Sequence, residues 1–178
     1  MVRLPEITSK EDLPEEAQHI FDVIAQSRGG VRGPFALLLH SPEVAQRVAH
    51  LGTYVRFESV LSPVDRELAI LTTARECDCE YQWSGHTRLA RQAGVREEAI
   101  NVIAQRLSLD QLTEAESFIV GYARELIREH RVSDAKFEAA RIRCGDQGII
   151  DLTVLIGYYA MVACVLNALE IKPRYPIR

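Results

Sequence analysis

Cysteine, methionine and tryptophan are scarce in this sequence. Its 178 residues include four Cys, two Met and one Trp. Four thiols in a chain of this length do not resemble the disulfide framework of a small secreted protein; such cysteines are mostly buried apolar residues, with a minority catalytic or redox-active. Residues 1–16 also lack the apolar run of a secretory signal peptide. We therefore expect a cytoplasmic protein.

Positive charge is neither abundant nor clustered. The 21 Lys and Arg are outnumbered by 25 Asp and Glu, which gives a formal net charge of −4. Phosphate binding requires a basic face, so nucleic acid is not an expected partner. No glycine-rich phosphate loop follows a strand, and we expect no organic cofactor. The longest apolar run, residues 148–171, is interrupted by Asp151 and Asn167, which favours a buried helix over a membrane span.

Helical periodicity runs through almost the whole chain, and no segment has the alternation of a strand. Helix starts are predicted at Pro14, Pro42, Pro63, Thr113 and Ser133, and helix ends at Gly94 and Gly145. Thr113 and Glu116 have the spacing of a capping box. No linker or repeat divides the sequence. Residues 1–178 are therefore predicted to form one all-α domain, a helical bundle, with residues 170–178 as a C-terminal tail.

The apolar surfaces of these helices exceed what one small domain can bury. The helix after Pro42 is expected to pack through Val44, Val48, Leu51, Val55 and Phe57. The Leu-rich segment at residues 34–40 and the apolar run at residues 148–171 add to this surface. We therefore expect a homo-oligomer.

Chemistry is concentrated in ECDCEYQWSGH, residues 76–86. Asp78 is a good N-cap residue, so a helix is predicted to begin at Cys79. A thiol in a first helical turn is near the positive end of the helix dipole, which favours the thiolate. Cys79, Trp83 and His86 are spaced to share one helix face, with Gln82 beside them. His86 is then placed for proton transfer near neutral pH.

Two other interpretations of this stretch compete with a catalytic one. A Cys and a His at this spacing are often structural, and Tyr81 and Trp83 are typical packing residues. Cys77, Cys79 and His86 suggest a metal site, but structural zinc sites place two to four residues between thiols and need a fourth ligand, which is missing nearby. No metal is expected.

A longer stretch, SPVDRELAILTTARECDCEYQWSGH, resembles the carboxymuconolactone decarboxylase family, whose superfamily includes alkylhydroperoxidase-like proteins. The matching features are Arg66-Glu67 early in one helix, then Cys79, Tyr81, Trp83 and His86. GPFALLLHSPEVAQRVAHLGTYVRFESVL before it and GYYAMVACVLNAL after it extend the resemblance over residues 33–169. The resemblance implies the all-α alkylhydroperoxidase-like fold and a trimer or hexamer.

The resemblance also implies the catalytic set Glu67, Cys79 and His86. In the peroxidase branch a second thiol follows the first in a CxxC pair, and here that position is Gln82. Without that second thiol, a sulfenic acid on Cys79 could not form the usual disulfide. A disulfide between Cys77 and Cys79, which are two residues apart, would close a strained ring. Cys144 and Cys164 could replace the missing thiol only if the fold brings them close.

EYQW followed by His86 looks more like the decarboxylase branch, a carbon–carbon lyase acting on a small cyclic lactone-type acid. In that hypothesis His86 donates a proton and Glu67 sets its tautomer or relays protons. Tyr81, Gln82, Trp83 and Arg66 are the candidate substrate-binding residues, with a solvated helix charge as the competing interpretation of Arg66. Two alternatives stay open: a thiol-dependent alkyl hydroperoxide reductase-like antioxidant protein, and a non-catalytic ligand-binding helical oligomer.

Overall fold

The computed structural model describes residues 2–173, and every regular element in that range is helical. The α-helices are α1 (Gln18–Arg28), α2 (Pro34–Leu38), α3 (Pro42–Thr53), α4 (Pro63–Glu76), α5 (Glu80–Ala93), α6 (Glu97–Ala104), α7 (Glu114–Glu129) and α8 (Asp134–Ala168). Short 3₁₀ helices at Lys10–Asp12, Glu15–Ala17 and Leu109–Gln111 and a π-helical segment at Tyr54–Glu58 complete the set. The all-α prediction is confirmed. Residues 174–178 of the predicted tail lie outside the described range.

Helix α4 is the centre of the bundle and packs against α5, α6, α7 and α8. Every residue from Glu67 to Ala74 is buried. The predicted start is confirmed, because the Ser62 side chain accepts a hydrogen bond from the Asp65 amide and Pro63 opens the first turn. A helix buried on all sides gives a rigid support for any side chain that it directs towards a cavity.

Helices α1, α2 and α3 form a second layer with its own apolar cluster. The predicted packing face of the helix after Pro42 is confirmed in part, because Val55 is buried and Val48 is partly buried against the core. Ala45, Ala49 and Gly52 are buried, whereas Val44, Leu51 and Phe57 are exposed. Small residues face inward because α1 and α8 approach closely: a Cβ atom on Gly52 would lie within 3 Å of the side chains of Arg28 and Tyr158.

The junction between α4 and α5 also differs from the prediction. Cys79, rather than Asp78, is the N-cap residue, and α5 begins at Glu80. Asp78 has a left-handed backbone with φ of 49°, and its carboxylate is paired with Arg106. The tight turn thus directs Asp78 to a cation in the loop after α6 instead of to the helix start. Gly94, with φ of 94°, ends α5 as predicted.

The last two helices follow their sequence signals closely. Thr113 and Glu116 form the predicted capping box of α7. Helix α8 bends at Gly145, the predicted helix end, where φ is 66° and ψ is 175°. Helix α8 is long and apolar enough to cross a membrane, but 56% of its most apolar window is buried inside the protein. Its apolar composition is therefore that of a core helix.

Candidate active site

Glu67 on α4 and His86 on α5 form a buried hydrogen-bonded pair. Oε2 of Glu67 lies 2.8 Å from Nδ1 of His86, and the two side chains are 6% and 12% exposed. An ionised carboxylate can only accept, so Nδ1 carries the hydrogen. Among the described residues no hydrogen-bond partner contacts Nε2 of His86. The pair therefore presents one ring nitrogen for exchange with a bound molecule.

A cavity of about 430 Å³, open to solvent on one side, lies against His86. Its residues come from α1, the loop after it, α2, the π-helical segment, α5 and α8. Apolar side chains supply part of the wall, namely Phe35, Phe57, Leu89, Val162 and Leu166. This volume suits a small molecule of one ring with substituents.

Tyr159 and Gln82 surround the imidazole. The ring of Tyr159 meets that of His86 edge to face, with centroids 5.1 Å apart and an interplanar angle of 88°. Burial raises the pKa of Tyr159 well above its ordinary value, so its hydroxyl stays protonated at neutral pH. Nε2 of Gln82 donates to the Tyr159 carbonyl at 3.1 Å, which ties α5 to α8 at the cavity.

Four arginines line the cavity: Arg28, Arg32, Arg56 and Arg88. Arg28 is the most constrained, because its guanidinium lies 4.1 Å over the Phe35 ring and donates to the Ala49 carbonyl at 2.8 Å. Burial lowers the pKa of Arg28, and the charge of Arg56 acts in the same direction. Within residues 2–173 no carboxylate forms an ion pair with Arg28 or Arg56. The cavity therefore has unneutralised positive charge, which suits an anionic ligand.

Asp151 holds the π-helical segment that carries Arg56. Its Oδ1 accepts from the Tyr54 hydroxyl and its Oδ2 from the Val60 amide, both at 3.0 Å. These bonds bracket Tyr54–Glu58 at both ends, and Asp151 itself is 3% exposed. π-helical turns are rare and are frequent at functional sites. The two hydrogen bonds to Asp151 thus fix the position of Arg56 in the cavity wall.

Two glycines, which have no side chain, leave the space that is occupied by tyrosines of the cavity wall. A Cβ atom on Gly33, whose φ is +61°, would lie 2.3 Å from the Tyr81 hydroxyl oxygen. A Cβ atom on Gly52 would lie 2.2 Å from the Tyr158 hydroxyl oxygen. No larger residue fits at either position without moving a tyrosine.

The thiols lie away from the cavity. Cys79 is 1% exposed and is part of the apolar core. The predicted thiolate at the helix start is wrong: burial raises the pKa of Cys79 and outweighs the Tyr81 and Gln82 amides, which act in the opposite direction. Burial likewise raises the pKa of Cys77 to about 11.

The remaining thiols divide between two regions. Cys164 is exposed on α8 and close enough to Cys77 and Cys79 to influence both electrostatically. The Cys77 carbonyl accepts from Asn167, one turn after Cys164, at 2.8 Å. Three thiols thus gather near the α4–α5 junction, while Cys144 lies elsewhere on α8, near the charges of Arg143 and Asp65.

Two of the four predicted substrate-binding residues line the cavity, and the other two do not. Tyr81 and Gln82 line the cavity. Trp83 does not: it is buried in the core under the guanidinium of Arg75, 4.4 Å from its ring centroid. Arg66 does not line the cavity either, because the first turn of α4 lies away from it.

The arginines and the Tyr158–Tyr159 pair were not predicted from the sequence. Two of the arginines, Arg28 and Arg32, are the basic residues of the glycine-rich loop SRGGVRG. The sequence signal that could have indicated them is a glycine-rich loop that contains two arginines and no acidic residue. In residues 2–173 no group of three or more His, Cys, Asp or Glu is arranged to hold a metal ion.

Comparison with known proteins finds a family model that matches part of the chain and solved structures that share its fold. Residues 42–125 match the model of the carboxymuconolactone decarboxylase family, and this segment contains Glu67, Cys79 and His86. No curated protein matches the chain in sequence.

Solved structures share the fold at low identity. An uncharacterized peroxidase-related protein from Silicibacter sp. TM1040 is 20% identical, with a TM-score of 0.75 over 98% of this chain and 95% of its own. A second such protein, from Ralstonia eutropha JMP134 and described as an alkylhydroperoxidase core, is 19% identical, with a TM-score of 0.78 over 97% and 92%. The debrominase Bmp8 is 15% identical, with a TM-score of 0.70 over 94% and 91%. Residues 42–125 are therefore similar to the carboxymuconolactone decarboxylase family, and the chain has the same fold as these peroxidase-related proteins.

Proposed function

We propose that this protein is a decarboxylase-like lyase that uses acid–base chemistry on a small cyclic carboxylic acid of the lactone type. One observation carries the proposal: the Glu67–His86 pair, joined at 2.8 Å, borders an arginine-lined cavity from which the buried thiol of Cys79 is absent. The groups available to a bound molecule are therefore an imidazole and guanidinium cations, not a sulfur.

The cations bind and polarise the substrate in this mechanism. Arg28 and Arg56 attract the anionic acid into the cavity and orient it. The bond between the ring carbon and the carboxylate breaks, and carbon dioxide leaves. The electron pair of that bond moves through the conjugated system onto the carbonyl oxygen and forms a dienolate. A fixed guanidinium near that oxygen stabilises the charge that develops there.

Proton transfer completes the reaction. Nε2 of His86 donates a proton to a carbon of the dienolate, the double bond migrates, and the ring becomes neutral at that site. Glu67 accepts from Nδ1 throughout, so it holds the tautomer and stabilises the imidazolium before it reacts. Solvent at the open side of the cavity returns the proton to His86. In sum, one carboxylate and one proton become carbon dioxide and a C–H bond.

The thiol-dependent alternative, reduction of a hydroperoxide, needs a nucleophilic Cys79 and a second sulfur to resolve it. The closeness of Cys77 and Cys164 to Cys79 favours this alternative. The raised pKa of Cys79 and the presence of Gln82 at the second thiol position oppose it. The third candidate, a ligand-binding oligomer without turnover, predicts binding of small acids that are never consumed.

Two variants separate the three candidates. Purified protein is incubated with γ-carboxylated butenolides, furan carboxylic acids, cyclic oxo acids and alkyl hydroperoxides, and release of carbon dioxide and loss of peroxide are measured. His86→Gln is expected to reduce decarboxylation by about 100- to 10,000-fold, the usual contribution of a general acid. Cys79→Ala should leave it nearly unchanged. Peroxide consumption that depends on Cys79, or no consumption of any compound, would reject the lyase proposal.

We also propose that the protein is a cytoplasmic homo-oligomer, trimeric or hexameric. From Ile150 to Ala168 every exposed position of α8 is uncharged, and these positions include Ile150, Met161 and Cys164. A second copy would cover that apolar face. Sedimentation equilibrium is expected to give a trimer or hexamer, and a monomer at micromolar concentration would contradict the proposal.

A further inference from the structure

Gln82 has a buried acceptor with no partner. Its side chain is 4% exposed, and its Oε1 has no hydrogen bond within the described part of the chain. A buried carbonyl oxygen without a donor is unfavourable, and the few in native proteins call for a specific explanation. Gln82 lines the cavity, and its Oε1 is closed to water in this structure, so a molecule bound in the cavity must reach that oxygen to supply the donor.

The orientation of the amide is determined by its other end. The Tyr159 carbonyl can only accept, and the Gln82 nitrogen lies 3.1 Å from it. That atom must therefore be the NH₂ group, and the atom left unpaired must be the oxygen. The amide cannot reverse to present a donor without placing two acceptors against each other. Gln82 is thus a fixed hydrogen-bond acceptor.

The acceptor is close to the proposed acid. Gln82 and His86 are four residues apart on α5, so their side chains are neighbours on one face of the helix. Tyr159 contacts both, through its carbonyl and through its ring. A donor bound at Gln82 would therefore lie beside the part of the ligand that His86 reaches.

From these contacts we infer that Gln82 selects substrates that carry an O–H or N–H group beside the reacting carbon. This inference rests on the proposed function and narrows its substrate class to hydroxylated or N–H-bearing cyclic acids. The carbonyl or ring oxygen of a simple lactone has only lone pairs, and it would repel Oε1. Gln82 thus acts as a specificity-determining residue.

Paired ligands test the inference by binding alone. Isothermal titration calorimetry compares meta- and para-hydroxybenzoate with the matching methoxybenzoates and benzoate. At least one hydroxy acid is expected to bind wild-type protein about tenfold more tightly than its methoxy counterpart, the value of one good hydrogen bond. In Gln82→Met, which keeps the length and apolar packing of the side chain, the preference should fall below about twofold.

Controls separate this inference from the proposed function. Gln147→Met, at an exposed position of α8, should keep the full preference, and melting temperatures establish that each variant is folded. His86→Gln should also keep it, because binding does not need the acid. Equal binding of hydroxy and methoxy acids to wild type, or a preference that persists in Gln82→Met, would overturn the inference. Neither result depends on whether any acid is decarboxylated.

Discussion

The start of α5 borders two regions with opposite chemical character. On one side Gln82 and His86 line a cavity that is open to solvent and carries arginines. On the other side Cys79 is sealed in the apolar core, with Cys77 half-buried beside it. Cys77, Cys79, Gln82 and His86 lie within one short stretch of sequence, yet only the cavity side can meet a dissolved molecule.

The difference shows that burial outweighs the position of a residue in a helix. A thiol at a helix start is favoured as thiolate by the amides of the first turn, but at Cys79 burial raises the pKa more than the Gln82 and Tyr81 amides lower it. His86 is also well buried, but Glu67 stays bonded to it and a cavity adjoins it. Reactivity in this protein therefore belongs to the imidazole side of the helix.

The largest expected difference between the two regions is in turnover. Glu67→Gln removes the charge that supports an imidazolium while it preserves shape, and we expect kcat for decarboxylation to fall by about 100-fold or more. Cys79→Ser, the matched change on the thiol side, should alter kcat by less than about threefold. Steady-state assays of both variants provide the measurement. Comparable losses would show that the sulfur takes part.

Thiol labelling probes the sealed region directly. At pH 8 a pKa of about 11 leaves about 0.1% of Cys77 as thiolate, and Cys79 is sealed as well. Iodoacetamide should therefore modify the exposed Cys164 at least about tenfold faster than either, as followed by mass spectrometry. Labelling of Cys77 should accelerate as the pH rises towards 11. In guanidinium chloride the three rates should converge, and fast native labelling of Cys79 would contradict the distinction drawn above.

Arg28 tests the charge of the open region. Arg28→Gln should raise the dissociation constant for benzoate by about 10- to 100-fold, because a hydrogen-bonded charge is lost from a partly buried site. Arg47→Gln serves as the control, since Arg47 is an exposed residue of α3 paired with Glu43. Calorimetry at low and high salt gives both values. An equal loss in the two variants would mean that only long-range attraction is involved.

A smaller effect on ligand affinity is expected from loss of the hydrogen bonds between Asp151 and the π-helical segment. Asp151→Asn keeps an acceptor for Tyr54 but loses the one for the Val60 amide, so Arg56 should be held less firmly. We expect benzoate to bind about three- to tenfold more weakly, with kcat little changed. Asp146→Asn, on the exposed side of α8, is the control.

Tyr54→Phe provides a second way to loosen the π-helical segment from Asp151 if Asp151→Asn lowers stability. It removes only the hydrogen bond to Oδ1 and should weaken benzoate binding in the same direction. Unchanged affinity in both folded variants would show that Asp151 supports the fold alone.

Local chemistry made much of the fold predictable. The Ser62-Pro63 start, the capping box at Thr113 and the glycine end of α5 depend on residues only a few positions apart. The inward face of α3 depends instead on how closely other helices approach Gly52. Hydrophobicity alone therefore predicted that Val44, Leu51 and Phe57 are buried, whereas the structure leaves them exposed.

The site was predictable to a similar extent. The spacing of Glu67 and His86 in a family-like stretch predicted two partners that the structure joins. Arg28 and Arg56 reach the same cavity from α1 and the π-helical segment, and no short motif connects them. The burial of Cys79 likewise depends on packing among distant helices.

The π-helical segment makes the charge of the cavity sensitive to chain length. The Ser59 amide bonds to the Tyr54 carbonyl five residues earlier, so this turn contains one residue more than an α-helical turn. Deleting a single residue there would restore ordinary helical winding and rotate the side chains on one side of the cut by about 100° relative to the other. Arg56 would then leave the cavity wall without any change of residue type. Relatives that are one residue shorter at this point are expected to bind anionic ligands more weakly, because Arg28, Arg32 and Arg88 would remain but Arg56 would not.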